Sequence, residues 1–396
     1  MFTIYDKEKQ KYPIKVWLEN REQIEKSCLQ QAINLSNLPF IHRWVALMPD
    51  THSGYGMPIG GVIATEGVVI PNAVGVDIGC GMAFAETNIH KSELQGPKLN
   101  FLIGQIMRNI PTGFDHHKQK QPCRVLDEFI DRCRYESQPR ELVNEIERGY
   151  YQIGTLGGGN HFIEIQEDEQ GMVNIMLHSG SRNFGLKIAK YFNNLASQLN
   201  DRWFRQVQLS FLSADSKEGK SYIQWMNLAL NFARENRQKM LNVVKDELTK
   251  LFPHVKFTGE VNAHHNYASF ERHYGRDVWV HRKGAIRVRE GELGIIPGAM
   301  GSYSYIVKGK GNKESFYSCS HGAGRKMSRK KARENYSVQE TINDLKKQGV
   351  VLGKNKKSDV SDECRWAYKD IDFVIGQELD LIEPVKKLKT MAVIKG

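Results

Sequence analysis

The sequence predicts an α+β fold: glycine-rich strands and turns gathered into one large body, residues 1–396, with a helical segment inserted at about 186–252. Three observations predict it. Short β-branched runs broken by glycines recur at 54–81, 154–185 and 257–320, and such runs read as buried strands joined by tight turns. Between them, 186–199 and 221–252 carry helical periodicity with few glycines. No internal repeat or low-complexity linker separates these blocks, so the glycine-rich ones are expected to converge.

In chain order, Pro58-Ile-Gly-Gly-Val-Ile-Ala, Gly67-Val-Val-Ile-Pro and Val74-Gly-Val-Asp-Ile-Gly-Cys-Gly read as strands and turns. Residues 101–110 form a short helix, and 116–139 is polar with the basic cluster Lys118, Lys120 and Arg124. Residues 162–165 and 173–177 are strands. Phe252-Pro253 closes the helical segment. Residues 325–349 read as a strongly basic helical stretch.

Composition narrows the function classes. Lys plus Arg total 56 against 45 for Asp plus Glu, a net charge of +11, which favours polyanionic partners. No apolar run approaches the roughly 18 residues that cross a bilayer, and the first residues lack a secretory h-region. Six cysteines without a C-x-x-C pair point to a reducing cytoplasm rather than a disulfide framework.

Four segments carry candidate metal ligands: Asp77-x-x-Cys80, Asn160-His161, His178 and His264-His265-Asn266. One thiolate, one carboxylate and three imidazoles suit a borderline divalent ion such as Zn, Mn, Co or Fe. A bridging thiolate would let them hold two ions with positions open for phosphate oxygens. His264 and His265 are adjacent and point oppositely on a strand, so at most one serves a given ion. His52 and His281 are possible supports, outside the ligand set.

Gly154-Thr-Leu-Gly-Gly-Gly-Asn160 offers backbone N–H groups to an anion. It fits neither a P-loop nor a dinucleotide-binding fingerprint. Ser179-Gly-Ser-Arg182 and Ser318-Cys-Ser-His-Gly-Ala-Gly-Arg325 place Arg182 and Arg325 where they can fork onto phosphate. His321 can be a fifth ligand, a general base or a covalent nucleophile toward phosphorus. Nine Lys or Arg between Lys308 and Arg333 suggest a polyanion track around it.

Taken together, these segments resemble the RtcB family of RNA-splicing ligases. The resemblance rests on Met48-Pro-Asp-Thr-His-Ser-Gly-Tyr-Gly, Val74-Gly-Val-Asp-Ile-Gly-Cys-Gly-Met, Gly157-Gly-Gly-Asn-His-Phe-Ile-Glu, Leu177-His-Ser-Gly-Ser-Arg, His264-His-Asn, Gly294-Ile-Ile-Pro-Gly, Ser320-His-Gly-Ala-Gly-Arg, Trp366-Ala-Tyr-Lys-Asp-Ile-Asp and Val393-Ile-Lys-Gly. It implies a GTP- and Mn²⁺-dependent enzyme that joins RNA 2′,3′-cyclic phosphate or 3′-phosphate ends to 5′-hydroxyl ends. Its substrates would be tRNA halves or damaged RNA. By the same resemblance, Cys80 bridges two Mn²⁺ ions, with Asp77 and His161 at one and His178 and His265 at the other. His321 is guanylylated, and Arg182 and Arg325 hold phosphates. Asn160, Glu164, Ser304, Ala323, Gly324, Tyr368 and Lys395 contact the guanylate. Many members carry serine where Ala299 stands, so one nucleotide hydrogen bond, worth about 1 kcal/mol, is missing here. A monomer without membrane association is expected. The ligands alone would also allow a dinuclear phosphatase or phosphodiesterase, and the basic stretch alone a non-catalytic RNA binder.

Overall fold

A computed structural model describes residues 1–132, 138–354 and 359–396. Two sheets dominate it. The first has six strands in the order Phe2–Ile4, Ile14–Val16, Ile41–His52, Ile59–Thr65, Arg276–Lys283 and Asn266–His273. The second runs Phe257–His264, Gly81–His90, Met172–Ser179, Phe162–Glu167, Ile382–Lys395, Tyr303–Gly309 and Leu293–Ile296, and Val351–Gly353 pairs in parallel with Ile382–Lys395.

The chain passes from one sheet to the other across a single residue. Phe257–His264 lies in the second sheet, Asn266–His273 lies in the first, and His265 is the joint. Its backbone is fixed on both sides, since His265 N–H donates to the Cys80 carbonyl (2.8 Å) and its own carbonyl accepts from Ala285 N–H (3.2 Å). The registers of the second sheet then align one end of several strands. Gly81 faces His264 and Ser179, His178 faces Phe162, and Phe162 faces Lys395. Residues far apart in sequence therefore meet along one rim.

The helical middle differs from the sequence expectation. Its two long helices are Arg182–Leu199 and Lys217–Leu251, each starting about four residues earlier than the periodicity suggested, with the short helix Arg202–Gln206 between them. Ser216 caps the second by accepting from Gly219 N–H (3.0 Å), which fixes its start. This 35-residue helix is no peripheral cover. Trp225, Met226, Ala229, Phe232, Met240, Leu241, Val244 and Leu248 recur at three- and four-residue spacing and are buried against both sheet and helices. Asn236 and Arg237 sit on the same buried face without solvent exposure.

Two further differences concern loops. Residues 75–80 form no strand; after the short helix Pro71–Val74 they turn tightly into Gly81–His90. The basic stretch splits into Arg329–Asn335 and Val338–Lys347, each capped by a serine, Ser328 and Ser337. The five described cysteines are free thiols, and Cys133 lies outside the described residues. Among the described residues no helix is long and apolar enough to cross a membrane.

Candidate active site

The 75–80 turn brings Asp77 and Cys80 to the rim of the second sheet. Gly79 makes the turn possible: its φ is +75°, and a Cβ there would lie 2.9 Å from the Ala233 side chain on the long helix. Arg237 locks the turn from beneath, donating to the carbonyls of Gly79 (2.7 Å) and Ser179 (3.0 Å) and to His264 Nδ1 (3.0 Å). Asn236 does the same for the glycine loop. Its side chain accepts from Gly154 and Thr155 N–H and donates to Thr155 O, Ser179 Oγ and Gly180 O.

Five ligand atoms converge there. Cys80 Sγ lies 3.5 Å from His161 Nε2 and 3.1 Å from His178 Nε2. His161 Nε2 is 3.0 Å from Asp77 Oδ2, and His178 Nε2 is 3.2 Å from His265 Nε2. They fall into two groups that share the thiol, Asp77–Cys80–His161 and Cys80–His178–His265.

Backbone carbonyls set the tautomers. His161 Nδ1 lies 2.9 Å from Leu156 O and His178 Nδ1 3.1 Å from Asn160 O, so each Nδ1 carries the proton and each Nε2 presents a lone pair. Burial, aided by neighbouring imidazoles, holds His178 and His265 well below the usual histidine range, so both are neutral. Burial and the Asp77 carboxylate push the Cys80 thiol well up. Carboxylate, thiol and imidazole groups thus converge from separate loops and strands, a set suited to divalent cations. The donors fit borderline divalent ions, two sharing the thiolate.

His321 stands beside this cluster, its ring centroid 4.7 Å from that of His265. Asp50, fully buried, receives both its backbone N–H (3.1 Å) and its Nδ1–H (2.6 Å) on a single carboxylate oxygen, Oδ2. That fixes the tautomer and leaves Nε2 as the nucleophilic nitrogen. Gly324 lets the loop close on Asp50: its φ is +72°, and a Cβ would lie 2.1 Å from the Asp50 carbonyl oxygen.

A cavity of about 420 Å³ opens over both groups, within the size range of ligand sites. Asp77, His178, His321, Glu164, Lys395, Glu363, Tyr368, Arg325 and Arg329 line it. Burial pushes the Glu164 carboxyl up to about 7, although Gln166 and Thr390 both donate to its Oε2. Glu363 is buried too, but Lys395, Arg329 and Arg325 outweigh burial and hold its carboxyl below the usual range.

Comparison with known proteins decides the family. The model described as "tRNA-splicing ligase RtcB" matches residues 31–396. The chain belongs to the RtcB family. It is 37% identical to the RNA-splicing ligase RtcB of Escherichia coli K12 across 97% of each chain. It is 31% identical to the tRNA-splicing ligase RtcB of Pyrobaculum aerophilum, over 98% of this chain and 95% of the relative. The Nanoarchaeum equitans tRNA-splicing ligase RtcB is 33% identical, over 98% and 96%.

Against the residues expected from sequence, the RtcB fold brings all five ligand candidates together and turns His264 away, onto Arg237 and the Gly79 carbonyl. Asn160, Glu164, Ala323, Gly324, Arg325, Tyr368 and Lys395 all line the cavity, as does Ala299. Ser304 does not; it lies beneath, accepting from Gly298 N–H and Gln166 Nε2. Arg182 sits at the edge of the metal cluster in a left-handed conformation, φ +58°, held by Thr155 Oγ1 (2.9 Å) and Gly113 O (2.7 Å). Such a backbone costs about 1–3 kcal/mol and is retained where the surroundings dictate it. Arg325 is committed to Tyr368 Oη, Glu363 and the Met327 and Asp362 carbonyls.

The nine-residue basic run does not form one track around His321. Only Arg325 and Arg329 reach the cavity. Arg333 pairs with Asp362, and Lys310 donates to the Leu379 carbonyl. His52 lines the cavity, whereas His281 is buried elsewhere, accepting from Ile70 N–H. Sequence reasoning missed Asp50, Glu363, Asn236 and Arg237. Asp50 had a signal, lying two residues before His52 in a segment already singled out.

Proposed function

We propose that this chain is an RNA ligase that uses GTP and Mn²⁺ to join RNA 3′-phosphate or 2′,3′-cyclic phosphate ends to 5′-hydroxyl ends. The observation that carries it is the Asp50–His321 pair facing a nucleotide-sized cavity beside a two-group ligand cluster.

The reading assigns each side chain a task. His321 Nε2 attacks the α-phosphorus of GTP; the P–N bond forms as the bond to the leaving pyrophosphate breaks. Asp50 holds Nδ1–H and stabilises the positive charge that develops on the ring. An RNA 3′-phosphate oxygen then takes the guanylate from His321, giving an RNA end capped through a pyrophosphate. The 5′-hydroxyl oxygen attacks the RNA phosphorus, loses its proton, and releases GMP. A cyclic phosphate must first be opened by water. Two Mn²⁺ ions, one on Asp77, Cys80 and His161 and the other on Cys80, His178 and His265, would supply Lewis-acid neutralisation of phosphate charge. Glu164 accepts from the guanine N1–H and N2–H edge, and Lys395, Arg329 and Tyr368 surround the nucleotide. Arg182 holds RNA phosphate beside Asp77. Arg325, bound to Glu363 and Tyr368, positions those two groups.

The test is ligation of two defined RNA fragments with varied 3′ ends, with and without GTP and Mn²⁺. Joined product that requires both cofactors supports the reading. Phosphate release without GTP would replace it with a dinuclear phosphatase, and binding without any product would leave only an RNA-binding protein.

A further inference from the structure

The polar stretch after residue 112 presents an aromatic ring in an unusual state. Phe114 is 99% exposed, while Phe270, the next most exposed large apolar side chain among the described residues, is 63% exposed. The ring is free, but its backbone is not. Gly113 N–H donates to Gly157 O (2.9 Å), and Gly113 O accepts from Arg182 (2.7 Å). Asp115 N–H closes the turn on Thr112 O (3.1 Å), and His117 N–H ties the far side to Tyr151 O (3.0 Å). A floppy tip would be unremarkable. A pinned turn that spends its one ring on solvent is not, because an apolar side chain gains by burial.

Its position points to the ligand. Gly113 lies directly against Gly157 and Gly158, the loop that continues into Asn160 and the metal-ligand candidate His161. Arg182, which holds Gly113, stands next to Asp77. The segment that carries the ring is rich in cations: Lys118 follows four residues on, with Lys120 paired to Glu147 and Arg124 to Glu128 beyond it. A rigid exposed ring flanked by cations is the arrangement that binds single-stranded nucleic acid, the base stacking on the ring and the backbone following the charge.

We propose that Phe114 is a stacking platform for an RNA base close to the joined ends, with Arg182 and Lys118 taking the neighbouring phosphates. The inference rests on the RNA-ligase reading above and adds to it a base-contacting subsite outside the nucleotide cavity.

The experiment measures binding of two labelled RNA oligonucleotides, one with a 3′-phosphate and one with a 5′-hydroxyl end, at fixed salt. The proteins are wild type, Phe114→Ala, Phe114→Leu and Phe114→Trp. The Ala and Leu variants should both weaken binding of one strand by roughly 5- to 100-fold, the range of one base–aromatic stack. Trp should restore it, and the strand affected identifies which end crosses the ring. Replacing the contacted nucleotide by an abasic one should erase the difference between wild type and Phe114→Ala. Thermal unfolding checks that the variants fold. Equal binding by Phe114→Ala would overturn the platform, as would wild-type binding by Phe114→Leu, since a leucine has no ring to stack. A shift in oligomeric state with unchanged RNA binding would also overturn it. Failure of the wild type to bind or join RNA would instead remove the ligase reading itself.

Discussion

The two halves of the site are built on opposite principles. In the half formed by Asp77, Cys80, His161, His178 and His265, five groups of ligand type crowd together, and carbonyls hold the protons of His161 and His178 on the outer nitrogens. In the half formed by Asp50 and His321, both His321 N–H donors are met within the protein by one Asp50 oxygen, Oδ2. The first is suited to holding divalent cations. The second is held in one orientation by the protein itself. Built so differently, the two halves should fail separately when mutated.

The largest effect should come from Asp50→Asn. Asn cannot accept the His321 Nδ1 proton as a charged partner, and the rate of protein guanylylation should fall by roughly 10³- to 10⁴-fold, the scale seen when a catalytic histidine loses its orienting aspartate. Bound Mn²⁺, counted by elemental analysis, should stay at the wild-type number. Loss of metal in this variant would show that the halves are not independent.

Cys80→Ala is the converse. The thiol belongs to both ligand groups, so Mn²⁺ affinity should fall at least about 100-fold at both positions, more than is lost when only a hydrogen-bond partner of a ligand is removed. Asp77→Ala and His265→Ala should each remove one ion of two. Titration calorimetry with Mn²⁺ reads the stoichiometry, and equal losses from all three variants would break the assignment of Cys80 as the shared ligand.

A smaller effect sharpens the nucleotide side. The Glu164 carboxyl sits near 7, raised by burial, and only its ionised form accepts both guanine N–H groups. GTP affinity should therefore rise with pH, by about ten-fold between pH 6 and 8. In Glu164→Gln the profile should be flat and discrimination against ATP reduced. A wild-type affinity independent of pH would remove Glu164 as the base reader.

The sequence shows much of this site because its chemistry is local. Asp77-x-x-Cys80, Asn160-His161 and His178-Ser-Gly-Ser-Arg182 carry ligand types in glycine-rich turns, and the strands that deliver them are periodic. Choosing between His264 and His265 needed the fold, because the choice depends on the chain changing sheets at residue 265. Asp50 was hidden for a related reason: a lone carboxylate gains meaning only when a loop 271 residues away closes on it. Asn236 and Arg237 look like surface residues of an amphipathic helix, yet their face is buried and braces two ligand loops. The basic run misled in the other direction, since charge density in sequence does not say which side chains are already paired.

In the proposed reaction His321 is the covalent nucleophile. Incubation with α-labelled GTP and Mn²⁺, followed by denaturing electrophoresis, tests it most directly. The wild-type protein should carry acid-labile label, lost in His321→Ala and retained, though slowly formed, in Asp50→Asn. Label of equal intensity on His321→Ala, or none on a wild-type protein that nonetheless joins RNA, would contradict it.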